Sequence, residues 1–329
     1  MAAPVWRSTL LCPMPSLLPQ PTEYGAYQRF KLDPATDWPS IARAIAGRHG
    51  LTFQSATRFP SGENPVIKLD GRYVIKLVPL KFWPLAIRRE VDALTFLRGK
   101  NFPAAELVGH GEIEGWGYLV CTQLAGEPLG AVWPRLALSA KRQVARAFGA
   151  SIGELHRLPV GQAQPGGIRW DDFLREGLNS WLTRGSVQAL PPGLRDSGLA
   201  YIRDALLEED ASPIVFLHGD LAPENCLVTL HDGTWQFSGV FDFGNAFAGR
   251  APFDLTAATV LLAPLDAETL REFLTGYGRD SLWLEQQRRR LMAYTLLHPL
   301  GNAAALLKLH PAAQHATTWD EVALKYWPS

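Results

Sequence analysis

The sequence predicts an α+β protein, with a small β-rich part followed by a larger, mainly helical part. Three observations carry that expectation. Up to about residue 126, short apolar runs alternate with turn signals, and Asp70-Gly71 sits between two of them. An Asp-Gly pair in that position marks a tight hairpin. Beyond it, apolar residues recur at helical spacing, as in Val144, Phe148, Ile152 and Leu155, which form one stripe of a helix. Finally, 329 residues with 47% apolar and 19% charged content can bury a sizeable core and suit two lobes sharing a cleft.

The elements follow in order. Residues 1–36 read as an extended arm, because Pro13, Pro15 and Pro19 interrupt the one apolar run. A helix opens at Asp37-Trp38-Pro39 and runs to Ala46, with Pro just inside its start and Gly47 near its end, the usual asymmetry of helix ends. Strands are expected at 52–59, 66–69 and 73–78, with a turn at 61–64. A helix at 85–97 carries Ile87, Val91 and Leu94 on one side, as a packed amphipathic helix does. A second hairpin ends in the apolar run 117–122. Helices are then expected at 139–156, 168–185, 194–208, 254–262, 266–276, 281–298 and 313–325. Among them lies a hairpin of 214–217 and 226–230 leading to 240–243.

Composition excludes several classes. Lys+Arg and Asp+Glu are equal at 32 each, whereas a general nucleic-acid binder shows a basic excess. The charges divide unevenly, with 14 basic against 10 acidic residues in 1–126 and 18 against 22 in 127–329. Cys12, Cys121 and Cys226 make neither an even disulfide set nor a metal-binding spacing, which points to a reducing compartment. No run approaches the roughly 18 apolar residues of a membrane span. The arm lacks the features of a signal peptide, so the expected location is the cytoplasm, with no membrane partner.

The densest chemical signal is Phe216-Leu217-His218-Gly219-Asp220-Leu221-Ala222-Pro223-Glu224-Asn225. An Asp followed five residues later by Asn on one loop can aim both side chains into a cleft. The carboxylate can accept a hydroxyl proton, and the amide oxygen can coordinate a divalent cation. Downstream, Asp242 in Val240-Phe241-Asp242-Phe243-Gly244 stands where a second hard oxygen could complete a Mg²⁺ site. An Asx-stabilised turn is the plainer alternative for Asp220 and Asn225.

His218-Gly219-Asp220, Asn225 and Asp242 together resemble the signature of the aminoglycoside phosphotransferase family, over roughly residues 40–310. Asn64-Pro65-Val66-Ile67-Lys68-Leu69, Leu155-His156-Arg157 and 216–254 look most like hygromycin B phosphotransferases. The resemblance implies the bilobal protein-kinase-like fold. In it, 37–121 form the β-rich nucleotide-binding lobe, 122–128 the linker, and 129–329 the catalytic lobe with a helical substrate-binding insert at 160–212. It implies ATP or GTP and Mg²⁺ as cofactors, with Asp220 as the catalytic base and Asn225 and Asp242 as the metal ligands. Ser61, Gly62 and Asn64 would form the turn over the nucleotide. Lys76, preferred to Lys68, would pair with Glu90 and hold the phosphates. The backbone at Thr122 and Leu124 would meet the purine edge. His218 and Asp254 would brace the loop.

Aminoglycosides are polycations, so carboxylates should line the acceptor groove. Asp171, Asp172, Asp266 and Glu268 are candidates. The implied activity is phosphorylation of an alcohol, first of a hygromycin B-like antibiotic in resistance. The same fold also serves kinases of small metabolite alcohols such as choline, homoserine, methylthioribose or a sugar. A third reading is a chain that binds nucleotide without catalysis, against which stands the presence of Lys76, Asp220, Asn225 and Asp242 together. A monomer or homodimer is expected.

Overall fold

The computed structural model describes residues 16–20, 22–60, 62–160, 167–207, 212–262 and 266–328. Two compact units divide the chain, Met1–Pro84 with Val108–Cys121, and Leu85–Leu107 with Thr122–Ser329. The first is sheet-based and the second mainly helical, as the sequence predicts. Residues 85–107, placed with the β-rich lobe by sequence, group with the second unit. Among the described residues no helix is long and apolar enough to cross a membrane.

The first unit contains α1 (Tyr24–Leu32), α2 (Trp38–Arg48), β1 (Ala56–Arg58), β2 (Val66–Leu69), β3 (Tyr73–Pro79) and the bulk of β4 (Leu107–Ile113) and β5 (Trp116–Thr122). The strands form one sheet in the order β1-β2-β3-β5-β4. Asp70 and Gly71 turn the β2–β3 hairpin with φ of 52° and 66°, the left-handed pair a two-residue turn needs. Strand alternation puts Ile67, Leu69, Ile75 and Leu77 wholly in the core and sets Lys76, across from Val66, on the other face. On the core face α2 lays Trp38, Ile41 and Ile45. Its N-terminus is capped by Asp37, which accepts the Ser40 N–H at 3.1 Å. The strand expected at 52–59 is only three residues long.

The arm is not extended. Residues 24–32 are helical, and Tyr27 is completely buried among Trp83, Phe82 and Trp116. Upstream, Leu18 is buried, its N–H donating to Glu114, while Pro19 O accepts from the Trp116 indole. A nine-residue helix is marginal alone; aromatic burial worth about 2–3 kcal/mol per ring holds this one in place. Residues 1–15 of the arm lie outside the described residues.

The second unit begins with α3 (Ala86–Leu97). After β5 come β6 (Glu127–Pro128), α4 (Leu129–Val132) and α5 (Leu138–His156). The region expected to hold two helices contains α6 (Trp170–Ser180), the short α7 (Gly185–Gln188) and α8 (Pro192–Leu207). Then follow β7 (Ile214–Leu217), β8 (Cys226–His231), β9 (Thr234–Val240) and β10 (Phe247–Arg250). The chain finishes with α9 (Pro252–Val260), α10 (Ala267–Tyr277), α11 (Ser281–Leu297), α12 (Ala303–Leu309) and α13 (Trp319–Tyr326).

Two expectations are corrected in this unit. The first concerns β7, which pairs with β10, Leu217 opposite Phe247, and not with β8. In turn β8 pairs with β9, and the strand ends at Val240, before Asp242. Val215, Leu217, Phe247, Phe253 and Tyr294 close a core behind the β7–β10 pair, which fixes where the next loop starts. The second concerns the helix expected at 313–325. Pro311 opens a 3-10 turn, and α13 begins only after Thr318, whose side chain forms a capping box with Glu321.

Candidate active site

The loop after β7 is held by its backbone N–H groups. Asp254, in the first turn of α9 and almost fully buried, accepts His218 N–H at 2.8 Å on Oδ2 and Gly219 N–H at 2.9 Å on Oδ1. His156, at the end of α5, adds a contact from Nε2 to Asp254 Oδ2 at 3.2 Å, and its Nδ1 meets the Tyr277 hydroxyl at 2.9 Å. Between them these partners satisfy a buried carboxylate that would otherwise be costly. Gly219 has φ of 79°, and a Cβ there would lie 2.1 Å from Asn245 O. Only glycine fits.

His218 is fully buried and links two segments. Its Nδ1 accepts the Asp220 N–H at 3.2 Å, which leaves Nε2 to donate to Phe241 O at 3.0 Å. That network assigns the tautomer and commits both ring nitrogens to backbone partners. Asn225 donates from Nδ2 to Asp220 Oδ2 at 3.1 Å and to Asp220 O at 3.0 Å. Its amide oxygen is thereby the end turned from Asp220. Asp242 follows β9 in the left-handed region, φ 66° and ψ 62°, a conformation that Asp tolerates at a cost of order 1 kcal/mol and that favours functional positions.

Burial pushes the Asp220 carboxyl above the ordinary carboxylate range, the charge on Asp242 adds to the rise, and the Asn225 hydrogen bond opposes it. Thus Asn225 and Asp242 both act on Asp220. Among the described residues no three His, Cys, Asp or Glu side chains form a metal-holding cluster. The Asn225 amide oxygen and the Asp242 carboxylate are instead two hard oxygen donors. Mg²⁺ suits such a set when phosphates and water complete its shell.

The other predicted residues fall as follows. Lys76 is half-buried on β3 of the first unit, and Glu90 is buried on α3 of the second. Ser61 lies outside the described residues. Gly62 has φ of 113°, and Asn64 Oδ1 lies 3.1 Å from the Tyr27 hydroxyl. The Thr122 N–H, one of the groups expected at the purine edge, is donated to Glu106 O at 2.9 Å. Leu124 packs over Gly239.

The four acidic candidates stand apart from this loop's bonds. Asp172 meets Arg175 and Arg169. Asp266 caps α10, and both it and Glu268 reach Arg142, at 3.3 and 2.7 Å. Asp171 lines a cavity of about 300 Å³ with Trp170, Arg169, Ile214 and Arg250.

Three further residues support the loop; of these only His156, within the Leu155-His156-Arg157 resemblance, carried a signal in the sequence. His156 and Tyr277 reach the loop only through Asp254. His298 stacks on Phe253 at 5.1 Å and 6°, and burial pulls it down to about 4, a Gly219 backbone hydrogen bond opposing. Cys226, adjoining Asn225, is fully buried, and burial pushes its thiol up, as for a packed, unreactive cysteine.

A model of the phosphotransferase enzyme family matches residues 55–294. A search of curated proteins finds no match. Solved structures share the fold. The GDP complex of aminoglycoside 2'-phosphotransferase-IIIa is 18% identical with a TM-score of 0.67, covering 88% of this chain and 97% of its own. A ternary complex of APH(2")-IIa with streptomycin and ATP is 15% identical with a TM-score of 0.60, covering 86% and 97%. A candidate fructosamine-3-kinase from Haemophilus somnus is 18% identical with a TM-score of 0.53, covering 84% and 98%.

Proposed function

The chain belongs to the phosphotransferase enzyme family, and from that premise we propose that it transfers a phosphoryl group from a nucleoside triphosphate to a hydroxyl of a small cationic molecule, first of all an aminoglycoside. The observation that carries the reading is the bonded pair Asp220–Asn225, tied by His218 and Asn225 to the backbone of Phe241, the residue before Asp242. Phosphoryl transfer passes through a loose transition state, so alignment and charge neutralisation dominate. Asp220 accepts a hydrogen bond from the acceptor hydroxyl and takes its proton as the hydroxyl oxygen bonds to the γ-phosphorus and the bond from that phosphorus to the bridging oxygen breaks, releasing the nucleoside diphosphate. Its raised pKa makes it a stronger base for that proton than an exposed carboxylate. Asn225 Oδ1 and Asp242 would hold Mg²⁺, which when bound offsets charge on the phosphate oxygens. Lys76 and the backbone of the 62–64 turn bind the triphosphate.

Hygromycin B is the acceptor favoured by the sequence resemblance around 64–69 and 216–254. A second reading, a kinase of a sugar-derived amine or another metabolite alcohol, draws on the fold shared with the candidate fructosamine-3-kinase. Incubating the protein with ATP or GTP, Mg²⁺ and a panel of both classes, with mass detection of a product 80 Da heavier (about the mass of HPO₃,), separates them. Product from hygromycin B or another aminoglycoside supports the first reading. Product only from metabolite alcohols replaces it with the second, and no product from either class removes both.

A further inference from the structure

Helix α1 lies before residue 55, where the family match begins, and it touches the turn proposed above to cover the nucleotide. The Tyr27 hydroxyl donates to Glu63 O at 2.6 Å and lies 3.1 Å from Asn64 Oδ1. The Lys31 ammonium donates to Gly62 O at 3.1 Å and Glu63 O at 3.0 Å. Both side chains are buried, Tyr27 completely and Lys31 to 7% exposure. A trans peptide holds its N–H opposite its C=O. With the carbonyls of Gly62 and Glu63 drawn toward α1, the N–H groups of Glu63 and Asn64 are presented on the side away from it. Successive N–H groups presented together make an anion-binding concavity.

Resting on the nucleotide reading of that turn, we infer that Tyr27 and Lys31 are positioning residues that hold the 62–64 backbone ready for the triphosphate's phosphates. The two donors have different chemistry and one task. Burial pushes the Tyr27 phenol up, so it keeps its proton and remains a donor. Lys31 places a cation directly behind the peptide groups that face the anion, so the helix contributes charge as well as shape. Neither residue touches the nucleotide. Their effect is confined to phosphate affinity and does not extend to the base.

The test compares full-length Tyr27→Phe, Lys31→Met and Lys31→Arg with the unaltered protein, titrating Mg·ATP, Mg·GTP, adenosine and guanosine by calorimetry. Losing one buried hydrogen-bond donor, more so a charged one, is expected to weaken triphosphate binding about tenfold. Nucleoside affinity should stay within about twofold, and Lys31→Arg should keep most of the triphosphate affinity, since its guanidinium retains the charge and donors. Unchanged triphosphate affinity, or equal losses for triphosphate and nucleoside, would overturn the inference. Tyr27→Phe keeps its ring in the core, so it carries the test alone if Lys31→Met does not fold. Lys76→Met is the control on the underlying reading. If it weakens triphosphate binding while the α1 variants do not, only the positioning role fails. If the unaltered protein binds neither triphosphate, or Lys76→Met leaves binding intact, the nucleotide reading fails with it.

Discussion

The turn at 62–64 and the loop at 218–225 are both short irregular segments on which the proposed chemistry depends, yet they are held by opposite ends of the peptide group. Asp254, an acceptor, holds the loop by the N–H groups of His218 and Gly219. Donors Tyr27 and Lys31 hold the turn by the carbonyls of Gly62 and Glu63. Fixing N–H groups from behind leaves a segment to present side chains, here Asp220 and Asn225. Fixing carbonyls leaves it to present N–H groups. The kind of anchor therefore follows from what each segment must offer, a carboxylate in one unit and an anion cradle in the other.

The sharpest way to break that contrast is to remove what the loop presents. Asp220→Ala should lower kcat about 10³-fold, within the usual range for a positioned base, while calorimetry still finds Mg·ATP or Mg·GTP bound. Turnover near that of the unaltered protein would refute the role of Asp220.

Next comes the anchor itself. Asp254→Ala strands two buried N–H groups and the His156 ring. At about 1–3 kcal/mol for each unsatisfied group, the expected loss is about 4 kcal/mol, read from denaturant melts. Asp254→Asn should recover little, since its NH₂ end faces a donor it cannot satisfy. A melt within 1 kcal/mol of the unaltered protein, a loss far below that estimated from the bonds, would mean that the loop is held by something other than Asp254.

His298 tests the same region through pH. An unfolded histidine takes up its proton near 6.5, whereas this one does so only near 4. Between those values the unfolded state binds more protons, so stability rises with pH. The contribution is complete above 6.5 and is lost as pH falls toward 4, on the order of 3 kcal/mol in all. His298→Gln should flatten the dependence of melting on pH across that window. An unchanged slope would show that groups other than His298 set it, with Asp254 and Arg184 the charges that act on it.

The loop was legible as a candidate site because Asp220, Asn225 and Asp242 are residue types with few uses in common, gathered in one stretch of the chain. What holds the loop was legible only in part: the resemblance named His218 and Asp254 as braces, but not the partners that hold Asp254 or the strand that pairs with β7. His156 and Asp254 are 98 positions apart, and the β7–β10 pair joins 214–217 to 247–250 across an intervening hairpin. Local periodicity carries no trace of such partners. In the arm, prolines outweighed a signal that was present, since Tyr24, Tyr27 and Phe30 recur at three-residue spacing and mark one helical stripe. Thr318 and Glu321 likewise spelled out the start of α13. The long run expected at 313–325 ignored that cap.

The smallest expected effect concerns the acidic candidates for the acceptor groove, and it bears on what anchoring costs a charge. Asp266 accepts the N–H groups of Glu268 and Thr269 and meets Arg142. Burial works against its ionised form, yet the bonds from Thr269 and Arg142 win and hold the carboxyl below the ordinary range. Asp266→Ala should cost about 1 kcal/mol of stability, the typical value of a lost cap. Asp266→Asn can keep the cap and should stay within a few tenths of a kcal/mol, because exposed ion pairs contribute little. With Arg142 already shared between Asp266 and Glu268, removing one negative charge there should change the KM of a cationic acceptor less than about twofold, as expected for a screened surface charge. A tenfold rise in KM with Asp266→Asn, at unchanged stability, would instead make Asp266 part of the acceptor groove, as a carboxylate that both caps its helix and draws the substrate.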